Sequence, residues 1–242
     1  MRTLLLAISL ISGNAWAQAQ SASAAVAESL PASETIGIRQ PESLPYREAL
    51  SWMDAFDQYH ALAPQTKLEF QLRPSQGHAL AENLLLKIVG NTKVETVPVS
   101  REGRVTLPRL DELAQDEDAV VRGNQKQGSY YWRPLVRTPG LAADTQRLGD
   151  LRLTCRVYWP MLKPKLSWAA RASMSVIGNM CTVASFALVF PSERKIESIQ
   201  LQAGNRQASL DQIENGGFGY IAPLADASWP DDTLLRFRYA AD

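Results

Sequence analysis

The spacing of the apolar side chains predicts one helix near the start of the chain. Between Pro45 and Pro64, apolar residues recur at steps of three: Leu50, Met53, Phe56 and Tyr59. This spacing puts them on one face of a short amphipathic helix. Pro45 suits the first turn of that helix, because its missing N–H would have no partner there, and Pro64 ends the pattern.

After Pro64 the apolar pattern changes to that of strands. Leu68, Phe70 and Leu72 alternate with polar residues, as in a strand with one buried face. Further short apolar stretches, separated by turn residues, follow at 84–89, 94–99, 105–107, 120–121, 129–132 and 135–136. Short strands joined by frequent turns are typical of a β-sandwich or a β-barrel. The sequence therefore predicts a mainly β protein.

The middle of the chain is predicted to add two strands, Leu151 to Trp159 and Thr182 to Phe190, with a helix or an irregular loop at Leu166 to Ile177. No charged residue occurs between Arg171 and Glu193, and a helix of that length could span a membrane. The stretch nevertheless contains several Ser, Thr and Asn side chains, which are costly to place in hydrocarbon. We therefore expect no integral membrane insertion of the mature chain.

Comparison of the chain with itself indicates an internal repeat. An ungapped match occurs at a shift of 114 residues, the distance from Gly90 to Gly204. The matched pairs include Asn91 with Asn205, Gly103 with Gly217, Val120 with Leu234, and Arg122 with Arg236. Turn glycines and strand residues are the positions that a repeated β unit would keep. The sequence predicts that a β module occurs twice.

The stretch from Val97 to Pro108 reads as a strand, a turn at Gly103 and a second strand that ends in proline. It resembles the strand–turn–strand of transthyretin-like and carboxypeptidase-regulatory-like modules of bacterial periplasmic proteins. The resemblance implies an Ig-like or transthyretin-like β-sandwich that serves as an adhesion, stability or accessory unit and has no catalytic residues of its own. The long insertion that contains the cysteines departs from that pattern.

The first residues are typical of a cleavable secretory signal. The apolar stretch Leu4 to Ile11 is too short to span a bilayer, and Ala15-Trp16-Ala17 has the small-x-small pattern that signal peptidase reads. We expect cleavage after Ala17 and a periplasmic or secreted mature protein. The predicted organisation is a signal peptide (1–17), a flexible leader (18–45), a helix plus first β module (46–137), a disulfide-containing middle segment (138–194) and a second β module packed on the rest (195–242).

The two cysteines, Cys155 and Cys181, are predicted to form a disulfide. An even number of cysteines in an exported protein first indicates a bridge. The alternatives are a metal site and a thiol oxidoreductase. The histidines, His60 and His78, lack metal-ligand spacing relative to these cysteines, and there is no Cys-x-x-Cys motif.

The charge balance excludes some classes of partner. The chain has 25 basic and 25 acidic side chains, and loss of Arg2 with the signal leaves the mature chain with one excess negative charge. Nucleic acids and anionic membranes attract clustered Lys and Arg. We therefore expect no nucleic-acid partner.

No motif in the sequence marks a reaction. There is no Gly-x-Ser-x-Gly elbow, and the glycine-rich stretch at 215–219 is read as a hairpin turn rather than a phosphate loop. The acidic clusters at 111–118 and 226–232 are read as capped turns, with a calcium-stabilised loop as the alternative. The sequence predicts no catalytic residue, no metal and no cofactor.

Two aromatic groups are candidates for a binding surface: Tyr130, Tyr131 and Trp132, then Tyr158 and Trp159. Flat rings bury a large area at low entropic cost and suit a glycan or a protein partner. The alternative is that these rings pack in the core.

The function predicted from the sequence is that of an exported, non-enzymatic binding or accessory module of the cell envelope, with an envelope protein or a glycan as its partner. One alternative is a secreted hydrolase with a carboxylate or serine site that no motif marks. A second is a purely structural envelope protein.

Overall fold

The computed structural model describes residues 39–168, Arg171 and residues 180–241. The predicted signal and most of the leader lie outside these residues, as does most of the helix or loop predicted at 166–177. More residues form strands than helices, which confirms the mainly β prediction. Within the described residues, no helix has the length and apolar character needed to cross a membrane.

The predicted N-terminal helix is present as α1, Tyr46–Tyr59, and it begins directly after Pro45. Its buried residues have the three- and four-residue spacing of one helix face: Tyr46, Ala49, Trp52, Met53 and Phe56. Leu50 and Tyr59, at the edges of the predicted stripe, are partly buried. The buried face is therefore centred closer to Trp52 than the sequence pattern suggests.

The first half of the described chain forms two antiparallel sheets. Its elements after β1 (Pro41–Pro45) and α1 are β2 (Leu68–Pro74), β3 (Leu86–Val89), β4 (Val94–Val97), β5 (Arg104–Val105), α2 (Asp111–Ala114), β6 (Val120–Lys126) and β7 (Tyr130–Val136). The strand orders are β1-β6-β3-β4 and β5-β2-β7. Apolar residues of both sheets and of α1 form one core.

The second half also forms two antiparallel sheets. Its elements are β8 (Thr145–Arg147), α3 (Leu148–Leu162), β9 (Val189–Pro191), β10 (Ile196–Ala203), β11 (Arg206–Leu210), β12 (Ile213–Glu214), β13 (Gly219–Ile221) and β14 (Leu234–Tyr239). The strand orders are β11-β10-β14-β8 and β12-β13-β9. These sheets and α3 enclose a second core.

The flexible leader was predicted to reach Pro45, but Pro41–Pro45 form strand β1, which pairs with β6. β1 is an edge strand of its sheet. Proline is tolerated at such an edge, because a missing N–H on the open side removes no hydrogen bond between strands. The two prolines of this short stretch are typical of a linker, and the sequence alone therefore does not indicate a strand here.

The strand predicted at Leu151 to Trp159 is wrong, since these residues lie inside helix α3. The helix is buried on two sides. Leu153 and Val157 belong to the first core, whereas Leu151 and Cys155 belong to the second. Apolar residues on both sides of a helix fill the gaps between the three- and four-residue steps, and so the helical period is hidden.

The strand predicted at Thr182 to Phe190 is mostly wrong. Only Val189–Pro191 form a strand, β9, and Met180–Thr182 form a short 3-10 turn. Phe186 and Leu188, between them, pack against the second core without joining a sheet. The stretch is thus apolar because it covers a core, not because it forms a long strand.

The two halves share part of their arrangement of elements. In each half a short strand leads directly into a long helix. That short strand pairs with the strand of its four-stranded sheet that comes last in the chain, β1 with β6 and β8 with β14. The first backbone N–H of each helix donates to the residue that precedes that last strand: Tyr46 to the carbonyl of Ala119 and Leu148 to that of Thr233, both at 2.8 Å.

The turns at Gly103 and Gly217, which the sequence pairs, both have positive φ, at 74° and 101°. Each precedes a short strand. The N–H of Leu72 donates to the Gly103 carbonyl at 2.8 Å, and the N–H of Ser192 donates to the Phe218 carbonyl at 2.9 Å. Judged by these two hydrogen bonds, the residue that corresponds to Gly103 is Phe218. The ungapped match instead pairs Gly103 with Gly217, one position earlier.

Candidate functional site

The outward face of the β5-β2-β7 sheet carries a row of cationic and polar side chains. Gln71 in β2 is directly opposite Arg104 in β5 and opposite Arg133 in β7. Side chains two residues apart in a strand share a face, so Arg73 and Tyr131, which are opposite each other, project on the same side. Three arginines, one glutamine and one tyrosine thus share one exposed surface.

The second half closes this surface into a cleft of about 900 Å³. The residues that line the cleft from this side include Glu193 and Arg194 in the loop after β9, Tyr220 in β13 and Tyr239 in β14. Glu102 and Asp144 add carboxylates to the wall. Its volume lies within the usual range for ligand sites. We call this space the arginine cleft.

Most of the arginines in the arginine cleft already have a partner. Arg73 forms an ion pair with Glu193 across the cleft. Arg104 lies 3.9 Å from a carboxylate oxygen of Glu69. The guanidinium of Arg194 lies 4.5 Å from the centre of the Tyr239 ring, a cation–π geometry.

Arg133 is the exception. Its single hydrogen bond to another described residue is a long one, 3.4 Å from Nη2 to the carbonyl oxygen of Pro191, and no described carboxylate lies within ion-pair distance. The side chain is half-buried. A guanidinium has five N–H donors, so Arg133 keeps most of its hydrogen-bonding capacity for a ligand.

Behind Arg133, a small cavity of about 80 Å³ separates β7 from β9. Tyr158 and Asp150 line it. Burial raises the pKa of Tyr158, and the charge of Arg133 opposes that shift. Burial also raises the pKa of Asp150, although both its oxygens accept hydrogen bonds from Thr138 at 2.7 Å.

The structure separates the aromatic residues that the sequence groups together. Tyr130 is buried in the first core, and the Trp132 ring packs against Trp52 and Phe70 there. Trp159 packs against the second core. Tyr131 is 49% exposed and lies opposite Arg73, on the outward face of the sheet. Of the five aromatic residues, Tyr131 is therefore the one that the structure places on an open surface beside the cleft, with Tyr158 behind it.

The predicted disulfide is present. Cys155 of α3 and Cys181 are bonded, with their Cα atoms 5.9 Å apart, which is an ordinary separation for a bridge. Both residues are buried in the second core. The bridge therefore fixes the segment before β9, and so one wall of the arginine cleft, to helix α3.

The histidines and acidic clusters do not assemble a reactive site among the described residues. The ring of His60 lies 3.1 Å from the Thr66 carbonyl and packs against Phe56, whereas His78 is exposed. Asp116 accepts hydrogen bonds from Asn91, which fits the turn-capping interpretation. No group of His, Cys, Asp and Glu in the described part of the chain could hold a metal ion.

One sequence feature that resembles a nucleophile motif lies beside the cleft. Ser192 and Lys195 have Ser-x-x-Lys spacing, but they lie in a loop rather than on a helix. The Ser192 hydroxyl donates to the carbonyl of Arg194 at 2.6 Å, and no hydrogen bond joins it to Lys195. This arrangement does not activate the hydroxyl.

The arginines of the cleft were not predicted from the sequence. Arg73, Arg104 and Arg133 are about thirty residues apart along the chain, and only the pairing of β5, β2 and β7 brings them together. The signal that could have identified them is strand alternation, which places Arg133 on the face opposite to Trp132.

Comparisons with protein families, with curated proteins and with solved structures find no match to this chain.

Proposed function

We propose that the chain is an exported, non-enzymatic binding or accessory module of the cell envelope, and that the arginine cleft is its partner-binding surface. The observation that carries the proposal is Arg133, a half-buried guanidinium that lines a cleft of about 900 Å³ and has only one long hydrogen bond to a described residue. A guanidinium whose N–H donors face the solvent of a cleft is available to pair with an anionic group. A bound partner would supply that group.

Export is supported by two independent features. The N-terminal pattern that ends at Ala17 is that of a cleavable signal. Disulfides persist in oxidising compartments, and Cys155 and Cys181 are close enough to be bonded. In this proposal the mature protein begins at Gln18 and works in the periplasm or outside the cell.

We also propose that the two halves are copies of one β unit, each a sandwich of a four-stranded and a smaller sheet with one long helix. The shared strand order of the two four-stranded sheets and the matching hydrogen bonds of Tyr46 and Leu148 support this. In the strand ladders, Phe70 of β2 corresponds to Phe190 of β9, and Arg73 therefore corresponds to Glu193. These two residues pair with each other, as equivalent surfaces do across a two-fold axis.

A hydrolase is less well supported by the cleft. Carboxylate catalysis needs one acid whose pKa is raised, so that it can donate a proton. The hydrogen bond from Ser100 instead lowers the pKa of Glu102, and Glu193 is paired with Arg73. A purely structural role would not require an open cleft with a guanidinium that lacks a carboxylate partner.

The test is capture of tagged protein from the envelope after crosslinking in cells, with partners identified by mass spectrometry and carbohydrate analysis. We expect the wild-type protein to retain one component that an Arg104→Gln/Arg133→Gln variant loses. Arg47, exposed on α1, provides the matched control, and Arg47→Gln should retain the component. Equal capture by all three proteins would refute the role of the cleft.

A further inference from the structure

We infer that the outward face of the β1-β6-β3-β4 sheet binds a lipid-like ligand, a phosphate monoester that carries an apolar chain. In this site Arg122 and Lys87 pair with the phosphate, and a neighbouring row of valines contacts the chain. The surface belongs to a different sheet from the one that lines the arginine cleft. The inference therefore goes beyond the proposed function and does not rest on it.

Two cations lie side by side at the centre of this face. Arg122 of β6 is directly opposite Lys87 of β3, and we call these two residues the cation pair. Ile88 and Val121, their neighbours along the two strands, are buried in the first core, so strand alternation directs the cation pair outward. Residues that are directly opposite have Cβ atoms about 5 Å apart, and like charges in such positions destabilise a sheet.

No carboxylate in the described part of the chain neutralises the cation pair. Neither Arg122 nor Lys87 forms an ion pair with a described residue. The Nε of Arg122 is also buried without a hydrogen-bond partner among these residues. A phosphate monoester carries nearly two negative charges at neutral pH and has three acceptor oxygens, so one such group balances both cations. A carboxylate would balance only one.

Hydroxyl groups extend the cation pair on both sides. Ser43 of β1 is opposite Arg122, and Thr96 of β4 is opposite Lys87. Both hydroxyl residues are exposed. Because neighbouring strands are about 4.8 Å apart, this row of four residues crosses the sheet within about 15 Å. All four side chains can donate hydrogen bonds to an anion, and none of them is acidic.

A row of apolar side chains lies next to the cation pair on the same face. Val89 of β3 is opposite both Val120 of β6 and Val94 of β4, and we call these three residues the valine row. They are partly exposed and belong to neither core. Two residues along a strand span about 6.7 Å. A ligand whose phosphate binds the cation pair can therefore lay an attached apolar chain over the valine row.

The four-stranded sheet of the second half has the same strand order but a different outward face. At the positions of the cation pair, Arg236 of β14 is opposite Gln200 of β10, and the Nε of Arg236 donates to Gln202 at 2.9 Å. At the positions of the valine row this sheet has Leu234, Gln202 and Gln207. Such a sheet therefore forms without two adjacent cations or an apolar row, and their presence in the first half favours a ligand-binding role.

The number of cations favours one lipid molecule over a membrane surface. Attraction to an anionic membrane depends on clusters of several Lys and Arg residues. The two rows on this face contain only the cation pair. That number suits a single doubly charged group.

The test is calorimetric titration of the mature protein with octyl phosphate, below the concentration at which it forms micelles. At about pH 8 its phosphate carries nearly two charges, and we expect one molecule to bind per chain. Methyl phosphate lacks the apolar chain, and octyl glucoside has the chain without the charge. Each should bind at least about tenfold more weakly. This comparison uses the wild-type protein alone and does not depend on the folding of a variant.

The variants locate the site. Lys87→Gln copies the neutral residue type of Gln200 in the second sheet, and Arg122→Gln removes the other charge. Each should weaken octyl phosphate binding by about tenfold or more. Val120→Thr, which keeps the shape of the side chain, should weaken it by about threefold. Arg236→Gln is the matched control and should change the affinity by less than about twofold. Circular dichroism checks that each variant is folded.

Four results would overturn the inference. If methyl phosphate binds as tightly as octyl phosphate, the valine row takes no part. If octyl glucoside binds as tightly, the cation pair does not recognise a phosphate. If Arg236→Gln weakens binding as much as Arg122→Gln, the site lies elsewhere. If octyl phosphate does not bind at about 1 mM, the ligand class is wrong, even where vesicles that contain phosphatidate retain the protein, because the surface would then recognise a membrane.

Discussion

Reduction of the Cys155–Cys181 bridge should destabilise the protein by an amount that follows from the loop it closes. The two cysteines are 26 positions apart. For a closed loop of about 25 residues, the loss of unfolded-state entropy corresponds to about 3.5 kcal/mol at 25 °C. Because both cysteines are buried in the second core, the native packing holds them together after reduction, and the effect should arise mainly in the unfolded chain.

The assay is equilibrium unfolding of the mature protein in urea, followed by tryptophan fluorescence with and without a reducing agent. A chain of this size has an m value of about 2–3 kcal/mol per molar urea. The expected decrease in the unfolding midpoint is therefore about 1–2 M urea. A Cys155→Ala/Cys181→Ala variant is the control, since the reducing agent should not shift its midpoint.

The reasoning would be refuted if the thiols titrate as reduced and the midpoint shifts by less than about 0.3 M, because the bridge would then add little constraint to the unfolded chain. A shift of equal size in the variant without cysteines would show that the reducing agent acts elsewhere.

Three further predictions concern the supports of the fold. The Arg152 guanidinium donates to three backbone carbonyls and to Asp231, so Arg152→Met should lower the free energy of unfolding by about 2–4 kcal/mol in urea titration; a cost below about 0.5 kcal/mol, as at exposed sites, would contradict this. At Gly103, φ is 74° and an added Cβ would lie 2.8 Å from the Leu72 carbonyl oxygen, whereas Gly128 has similar φ and nothing within 4 Å. Gly103→Ala should therefore lower the melting temperature more than the matched Gly128→Ala, and equal losses would show that the turn relaxes. Burial raises the pKa of Asp150 above its ordinary value of 3.8, so the folded state binds this proton more tightly, and the corresponding stability is lost as pH rises through the folded pKa. The melting temperature of the wild type relative to Asp150→Asn should thus fall as pH rises above 3.8, the ordinary pKa of this carboxyl, and a difference that does not vary with pH would contradict the shift.

The local parts of the fold could be predicted from the sequence, and the parts that depend on distant contacts could not. Helix α1 and strand β2 each bury one face, and so their periods are visible in the chain. Helix α3 contacts two cores, with Val157 in one and Cys155 in the other, and its period is hidden for that reason. The cysteine pair could be predicted because it needs only an even count and an exported context.

The arginine cleft could not be predicted for the same physical reason. Its central row combines residues from β5, β2 and β7, and strand pairing over long sequence separations is not encoded in local composition. Which aromatic residues are exposed could not be predicted, because large rings occur both in cores and at binding surfaces. Alternation in β7 places Tyr130 and Trp132 inward and leaves Tyr131 and Arg133 outside.

The most direct test of the proposed binding surface is site-specific photo-crosslinking in living cells. A benzophenone amino acid replaces Tyr131, which is exposed and lies opposite the cleft residue Arg73, or Asn205, which is exposed in the turn between β10 and β11. We expect a crosslinked species of increased mass from position 131 that disappears when Arg104→Gln and Arg133→Gln are added, and none from position 205. Crosslinking from position 205 but not from position 131 would contradict the assignment of the cleft as the binding surface.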